Sequence, residues 1–207
     1  ARMSKPTLYV DCDDTVLESS ETVIKILNKR YGLDKTINDL RDWNYKSIVK
    51  GLSQEELYGI YESDEFWDDI RFKLGFLSFF NENCSKYNWV FVSLGTEENL
   101  KRKRELIFRT FPPVVGIDVK FIGLDVSNGF SKKEVDMRGG IFIDDNMRCF
   151  EGTNAACNIL VKNDRPHYWN EAAPCFDNLY EVNNWDDIET ILDFFWEHPE
   201  FVEKTFW

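Results

Sequence analysis

Short apolar runs recur along this chain, and each is followed by polar or small residues. Such runs, rich in β-branched and aromatic side chains, are typical of buried strands. Longer segments, in which the apolar residues are spaced differently, separate these runs. The predicted strands are 8–10, 89–92, 121–124, 140–143 and 158–161.

Apolar residues between these runs recur at helical spacing. Val23, Ile24 and Leu27 would share one face of a helix, which is predicted at 20–31 and ends near Gly32. Similar spacing predicts helices at 72–87 and 185–196. Because strands alternate with helices, we expect an α/β fold with a mostly parallel, Rossmann-like sheet flanked by helices.

The segment 34–71 fits neither pattern. It is irregular, acidic and aromatic, and Ser53 followed by Glu55 and Glu56 is a variant of a helix-start pattern. The sequence therefore predicts a small helical cap at 18–71, inserted after the first strand. The α/β core would then consist of residues 1–17 and 72–207.

The net charge limits the kinds of partner. The chain has 37 Asp and Glu residues against 25 Lys and Arg, a formal net charge of −12. Such a field repels polyanions, so a nucleic acid polymer is not expected to bind. A small phosphorylated metabolite remains compatible if a metal ion and a few cations line one pocket. The oligomeric state is left open.

Membrane and redox signals point to a cytoplasmic protein. No apolar run approaches the roughly 18 residues of a membrane span, and no signal peptide is evident, so no membrane partner is expected. The cysteines are odd in number, and they lack the spacing of a zinc site. We interpret them as reduced thiols. The five cysteines are Cys12, Cys84, Cys149, Cys157 and Cys175.

Carboxylates cluster where the first predicted strand ends. Asp11, Asp13 and Asp14 lie within four residues, where like charges repel and raise one another's pKa. The carboxyl ends of parallel strands share one edge, where open α/β sheets bind ligands. We therefore expect the pair Asp144 and Asp145, after a later strand, to converge with them.

Other polar residues complete a candidate phosphate site at this edge. Ser93 ends the second predicted strand, and Lys132 and Lys133 precede the strand that carries the acidic pair. Oxygen ligands without histidine favour a hard cation, most simply Mg²⁺. Phosphate chemistry needs such a cation together with a nucleophile, a proton donor and a cationic clamp.

Each of these features also has a structural explanation. Taken singly, the acidic pairs could be turn or N-cap residues, Ser93 a helix N-cap, and Lys132 and Lys133 a solvated surface. Together they favour a functional site. The basic run 101–104 is interpreted as the solvated face of a helix.

Four motifs in order resemble those of the haloacid dehalogenase-like (HAD) phosphohydrolases. Asp11-Cys12-Asp13-Asp14-Thr15 is similar to the first motif, Ser93 to the second, Lys132 or Lys133 to the third, and Asp144-Asp145 to the fourth. The resemblance covers residues 7–146. It implies a Rossmann-like HAD core with a cap after the first strand.

Within that family the chain looks closest to the 5'(3')-deoxyribonucleotidases. The basis is the short helical cap, the segment 63–67 and the run 143–146, Ile-Asp-Asp-Asn. Two positions depart from the family. Asp14 stands where a glycine is common, and Leu94-Gly95 follows Ser93 where a turn of a small residue and proline is usual.

The resemblance implies roles for the acidic residues. Asp11 would attack phosphorus and form an aspartyl-phosphate, while Asp13 would protonate the leaving alcohol and then activate water. Asp11, the backbone carbonyl of Asp13, and Asp144 would hold Mg²⁺. Asp145 would support the metal site.

The same resemblance implies which residues bind phosphate. Ser93 and the neighbouring amide of Leu94 would hold a phosphoryl oxygen, and Lys132, preferred to Lys133, would neutralise its charge. The planar side chains of the cap give a separate expectation. Trp43, Phe66 and Trp67 are candidates for substrate contact, since a flat base can stack on such rings; the alternative is that they form the core of the cap.

These roles predict a Mg²⁺-dependent phosphomonoesterase, with nucleoside monophosphates as the preferred substrates. One alternative is a phosphatase of sugar phosphates or another small metabolite. Another is a catalytically idle binding or regulatory protein with the same fold. The four residues Asp11, Asp13, Ser93 and Asp144 argue against idleness, because an idle protein has no reason to keep all of them.

Overall fold

The computed structural model describes residues 5–112, 114–163 and 178–198. Within these residues, six parallel strands form one sheet in the order β3-β2-β1-β4-β5-β6. The strands are β1 Thr7–Asp11, β2 Asn88–Gly95, β3 Asp118–Asp125, β4 Ile141–Asp144, β5 Cys157–Val161 and β6 Leu179–Val182.

Several α-helices of the described chain begin at a side chain that caps the first turn. Ser53, Ser63, Thr96 and Asn184 each accept a hydrogen bond from the backbone N–H three residues later. The α-helices are α1 Ser19–Tyr31, α2 Gln54–Glu62, α3 Asp64–Asp69, α4 Phe76–Asn83, α5 Glu97–Thr110 and α6 Trp185–Glu197.

The position of β1 determines where the site forms. It lies between β2 and β4, with Asp11 in register with Val92, and Val10 in register with Ile143. The carboxyl ends of these strands therefore meet at one edge. The α/β fold with a mostly parallel sheet, predicted from the alternating pattern, is confirmed by this sheet.

Alternate residues of the central strands pack into two separate apolar layers. On β2, Trp89 and Phe91 join an aromatic cluster with Phe76 and Trp185, whereas Val90 packs on the opposite face of the sheet. Because successive side chains of a strand point to opposite faces, one strand supplies both layers. Both faces are buried, as expected for a parallel sheet.

The segment between β1 and α4 has an apolar cluster of its own. Leu27 of α1, Ile60 of α2 and Phe66 of α3 are buried in it, together with Ile37 and Tyr45. Partly buried Trp67 and Ile70 pack against both this cluster and the aromatic cluster of the core. The division into a cap at 18–71 and a core stays a prediction.

The structure corrects several predicted boundaries. The helix expected over 72–87 is shorter, Phe76–Asn83, and follows Gly75 in the left-handed conformation at φ 86°. β3 extends beyond the predicted 121–124 at both ends. β6 was not predicted, because its sequence Leu-Tyr-Glu-Val is short and half exposed at the sheet edge.

Two remaining observations concern the described residues as a whole. None of their helices is both long enough and apolar enough to cross a membrane. Cys12, Cys84, Cys149 and Cys157 are free thiols. The fifth cysteine, Cys175, lies outside the described residues.

Candidate active site

Three buried carboxylates meet at the carboxyl ends of β1 and β4. Asp11, Asp144 and Asp145 each place one carboxylate oxygen within 4.8 Å of the others. The Thr15 hydroxyl lies 3.1 Å from Asp11 Oδ2 and 3.2 Å from Asp145 Oδ1. The expected convergence of the first and fourth motifs is present in this geometry.

A buried lysine binds this acidic cluster. Lys132 Nζ donates to Asp11 Oδ1 at 2.5 Å and to Asp144 Oδ2 at 2.6 Å. Burial disfavours its charge, but Asp11 and Asp144 outweigh burial and raise the pKa of Lys132 well above its usual value. Its neighbour Lys133 is exposed. The structure therefore brings Lys132, and not Lys133, to the carboxylates.

A short turn orients this lysine. Residues Lys132–Glu134 form a single 3₁₀ turn, and the Glu134 carboxylate accepts hydrogen bonds from the Ser131 backbone N–H at 2.8 Å and from its hydroxyl at 3.1 Å. This capping box fixes the turn, so one lysine points inward and the next faces solvent.

The charges of the cluster do not balance. Three carboxylates, those of Asp11, Asp144 and Asp145, face one ammonium group, that of Lys132, which leaves two formal negative charges in a buried space. Burial and the nearby Asp11 raise the pKa of Asp144 to about 6. A divalent cation with a preference for oxygen ligands would neutralise the excess, so the residues present fit Mg²⁺.

Asp13 lies beside this cluster at the edge of the cavity. Its Oδ1 accepts a hydrogen bond from the Ser19 hydroxyl at 2.6 Å, and its Oδ2 accepts one from Lys103 Nζ at 2.7 Å. The Asp13 side chain is 30 % exposed, and that of Lys103 only 1 %. Asp13 is thus accessible to a ligand while both of its oxygens are held.

Lys103 corrects the interpretation of the basic run. We predicted residues 101–104 to be a solvated helix face, yet Lys103 is buried on α5 with Asn99 and Ile107. These three positions repeat every fourth residue, the spacing of one helix face. The presence of Ile107 on that face was a signal that could have identified Lys103.

Asp14 has a backbone conformation that glycine adopts more readily than other residues. Its φ is 61°, in the left-handed region that residues other than glycine rarely adopt. Its buried carboxylate accepts hydrogen bonds from the backbone N–H of Ser20, at 2.9 Å, and from the Ser20 hydroxyl. Asp14 therefore stabilises the start of α1, for which Glu18 provides no side-chain cap.

Of the two predicted phosphate-binding residues of β2, Leu94 lines the cavity and Ser93 does not. Ser93 is fully buried, and its hydroxyl lies 3.4 Å from the carbonyl oxygen of Leu94. The cavity lining includes Leu94, Gly95 and Thr96 but does not include Ser93. The backbone after Ser93 is therefore what this strand presents to a ligand.

A cavity of about 240 Å³ opens over the carboxylates. Of the predicted substrate-binding residues, Trp43 lines it and is 49 % exposed. Phe66 and Trp67 do not line it: Phe66 is fully buried, and Trp67 Nε1 donates to the carbonyl oxygen of Tyr61 at 2.8 Å. The other aromatic residues of the lining are Tyr45, Tyr58 and Tyr61.

Known structures share this architecture, although the sequence alone does not reveal relatives. No family model and no curated protein matches the chain. A predicted phosphoglycolate phosphatase from Lactobacillus plantarum is 15% identical, with a TM-score of 0.57, and the match covers 91% of this chain and 100% of that one.

Two further structures are similar over nearly their full length. The HAD-like family hydrolase SP0104 from Streptococcus pneumoniae is 11% identical, with a TM-score of 0.56 and coverage of 92% of this chain and 100% of that one. The HAD-hydrolase YfnB from Bacillus subtilis, bound to magnesium, is 12% identical, with a TM-score of 0.53 and coverage of 91% and 98%. At these identities the likeness concerns the fold, and we conclude that this chain has the α/β fold of the HAD-superfamily hydrolases.

Proposed function

We propose that this protein is a Mg²⁺-dependent phosphomonoesterase that forms an aspartyl-phosphate on Asp11. The observation that carries the proposal is the position of the Asp11 carboxylate. It lies between Lys132 and Thr15, beside Asp144 and Asp145, at the floor of an accessible cavity. The buried excess of negative charge is unfavourable without a cation, which supports a metal ion beside Asp11.

In the first step a carboxylate oxygen of Asp11 bonds to phosphorus, and the bond between phosphorus and the ester oxygen breaks. Asp13 donates a proton to the departing oxygen, so the alcohol leaves neutral. Asp13 can serve because it is two residues from the nucleophile and its side chain reaches the cavity.

In the second step water attacks the phosphorus of the aspartyl-phosphate. Asp13, now a carboxylate, takes the proton from that water, and the bond from phosphorus to Asp11 breaks. Inorganic phosphate is released, and the Asp11 carboxylate is regenerated. One residue thus acts first as acid and then as base.

Mg²⁺ would be held by Asp11, Asp144 and the backbone carbonyl of Asp13, with support from Asp145, and when bound it would neutralise charge on the phosphoryl group. Lys132, which binds Asp11 and Asp144, would contribute a second positive charge. The backbone after Ser93, at Leu94, would hold a phosphoryl oxygen. These assignments rest on the carboxylate cluster and on the cavity lining.

Small metabolites are the substrate class that we favour. The cavity, about 240 Å³, lies below the roughly 300–1,000 Å³ typical of larger ligands. A similar structure is named as a predicted phosphoglycolate phosphatase, whereas none of the three described above is named a nucleotidase. Both points support a sugar phosphate or another small phosphorylated metabolite over the nucleotide that the sequence led us to prefer.

One observation keeps nucleoside monophosphates as a second candidate. Trp43, Tyr45, Tyr58 and Tyr61 line the cavity, and a planar base could stack on such rings. Base–aromatic stacking is worth roughly 1–3 kcal/mol per base. A sugar phosphate has no comparable flat face.

The test is hydrolysis of p-nitrophenyl phosphate with Mg²⁺, followed by a panel of metabolite monophosphates. We expect wild-type turnover, none for Asp11→Asn, whose amide cannot attack phosphorus, and a loss of ~10²–10⁴ for Asp13→Asn. Near-normal, Mg²⁺-dependent activity of Asp11→Asn would refute the mechanism. An inactive wild type with every substrate would support the idle alternative.

A further inference from the structure

Lys103 is a buried cation that the mechanism above does not use. It lies on α5, inside the run of basic residues 101–104, yet its side chain is 1 % exposed. Burying an ammonium group is unfavourable unless it is paired and hydrogen-bonded. The reason for its burial must therefore lie in its partners.

Those partners are parts of the candidate site. Lys103 Nζ donates to Asp13 Oδ2 at 2.7 Å and to the carbonyl oxygen of Leu94 at 2.9 Å. Leu94 belongs to β2, and Asp13 follows β1. The ammonium group thus links the end of one strand to the loop that follows its neighbour.

The other oxygen of Asp13 is held independently. The Ser19 hydroxyl, at the start of α1, donates to Oδ1 at 2.6 Å. Two groups from different helices therefore hold the carboxylate. A single donor would let it turn about its side-chain bonds, whereas two donors fix the direction in which it faces.

We propose that Lys103 is a positioning residue, which holds the Asp13 carboxylate in the orientation required for proton transfer to the leaving group. This inference rests on the proposed function. A general acid must lie within hydrogen-bond reach of the departing oxygen, and small misplacement is costly in rate. Lys103 fixes Oδ2 against β2.

The chemistry of the two donors also distinguishes the two oxygens. An ammonium group only donates hydrogen bonds, so Oδ2 faces a permanent donor. A hydroxyl can donate or accept, so Ser19 can adjust to a proton on Oδ1. Lys103 therefore keeps Oδ2 as an acceptor, while the contact of the Ser19 hydroxyl with Oδ1 can rearrange.

The test compares substrates that differ only in how much they need a proton. The value of kcat/KM is measured for substituted phenyl phosphates, from p-nitrophenyl phosphate, a good leaving group, to phenyl phosphate, a poorer one. In Lys103→Met we expect the phenyl to p-nitrophenyl ratio to fall about tenfold below wild type, a part of the ~10²–10⁴ that a general acid supplies.

Two further variants make the result specific. Ser19→Ala removes the other donor to Asp13, and we expect its ratio to fall in the same direction. Lys101→Met removes the same charge from an exposed position on the same helix, and its ratio should equal that of wild type. Thermal unfolding of each variant is measured to check that the variant is folded. If Lys103→Met does not fold, Ser19→Ala carries the test.

The possible results separate this inference from the proposed function. A wild type that hydrolyses the series, with an altered ratio in Lys103→Met, supports the positioning role. A wild type that is active while Lys103→Met, or Ser19→Ala in its place, lowers all substrates equally or none overturns that role alone. A wild type inactive on the whole series overturns the proposed function, and the inference with it.

Discussion

The indole Nε1 of Trp185 donates a hydrogen bond to the backbone carbonyl oxygen of Thr15 at 2.8 Å. Trp185 begins α6, the last helix of the described chain, and Thr15 belongs to the loop that carries the acids of β1. The ring also packs on Phe76, with centroids 4.8 Å apart. The closing helix thus supports the loop of the candidate site directly.

Replacing this tryptophan tests that support. Trp185→Phe keeps most of the apolar area but removes the donor, which leaves the buried Thr15 carbonyl without it. We expect the free energy of unfolding to fall by about 1–3 kcal/mol, measured by urea denaturation. Trp43→Phe, at a half-exposed position, should change it by no more than about 0.5 kcal/mol. Equal effects of the two substitutions would contradict the argument.

Two adjacent lysines provide a matched pair. Lys132 binds Asp11 and Asp144, whereas Lys133 is exposed. We expect Lys132→Ala to lower kcat/KM by ~10²–10³ for every phosphate ester, because it acts on the group that all of them share. Lys133→Ala should remain close to wild type. If Lys133→Ala proved the damaging change, the phosphate-binding role would belong to Lys133.

Metal binding should be visible without an activity measurement. A cation that binds the folded cluster stabilises it by about 2.7 kcal/mol at a hundredfold excess over its Kd, which corresponds to about 5 °C or more in Tm. We expect this shift with Mg²⁺ and not with EDTA. Asp144→Asn should reduce this shift in Tm, since the substitution replaces one anionic ligand of the cluster with a neutral carboxamide.

The catalytic counterpart of that experiment uses a second cation. EDTA should abolish phosphatase activity and Mg²⁺ should restore it. Ca²⁺ should bind yet support little turnover, because its looser and higher coordination misaligns the attacking group. Full activity in EDTA after exhaustive dialysis, with a Tm indifferent to Mg²⁺, would exclude the metal from the reaction.

Substrate choice should depend on Trp43. If a nucleobase stacks on this ring, Trp43→Ala should lower kcat/KM for nucleoside monophosphates about tenfold and leave phosphoglycolate and sugar phosphates nearly unchanged. Trp67→Ala is the control, since Trp67 packs against the apolar cluster of α1, α2 and α3 and does not line the cavity. A panel in which Trp43→Ala affects no substrate selectively would remove the nucleotide candidate.

The sheet and its acidic edge were predictable because both depend on short-range signals. Apolar runs that end in acids identify strand ends, and parallel strands bring those ends together. Asp11 and Asp144 therefore converge as expected. β6 gave no such signal, because Tyr180 and Glu181 face outward on an edge strand and only Val182 is buried.

The remaining errors come from side chains whose surroundings are set by distant parts of the chain. Lys103 is one of four basic residues, and its burial depends on Asp13, ninety positions earlier. In the sequence, Phe66 and Trp67 looked equivalent to Trp43 as candidates for substrate contact. The packing of α3 against α1 and α2 encloses Phe66, a contact that local periodicity does not describe.

The strand order also governs how the protein can assemble during synthesis. Thr7 pairs with Asn88, and Leu8 with Ile141, so both strands that pair with β1 lie far from it in the sequence. Pairings at such sequence separation form slowly, because closing the long intervening loop costs entropy before the contacts are gained. A ribosome-bound fragment that ends before β4 contains Asp11 without Asp144 and Asp145. Asp11 is therefore synthesised early but can meet these two acids only after translation has passed β4.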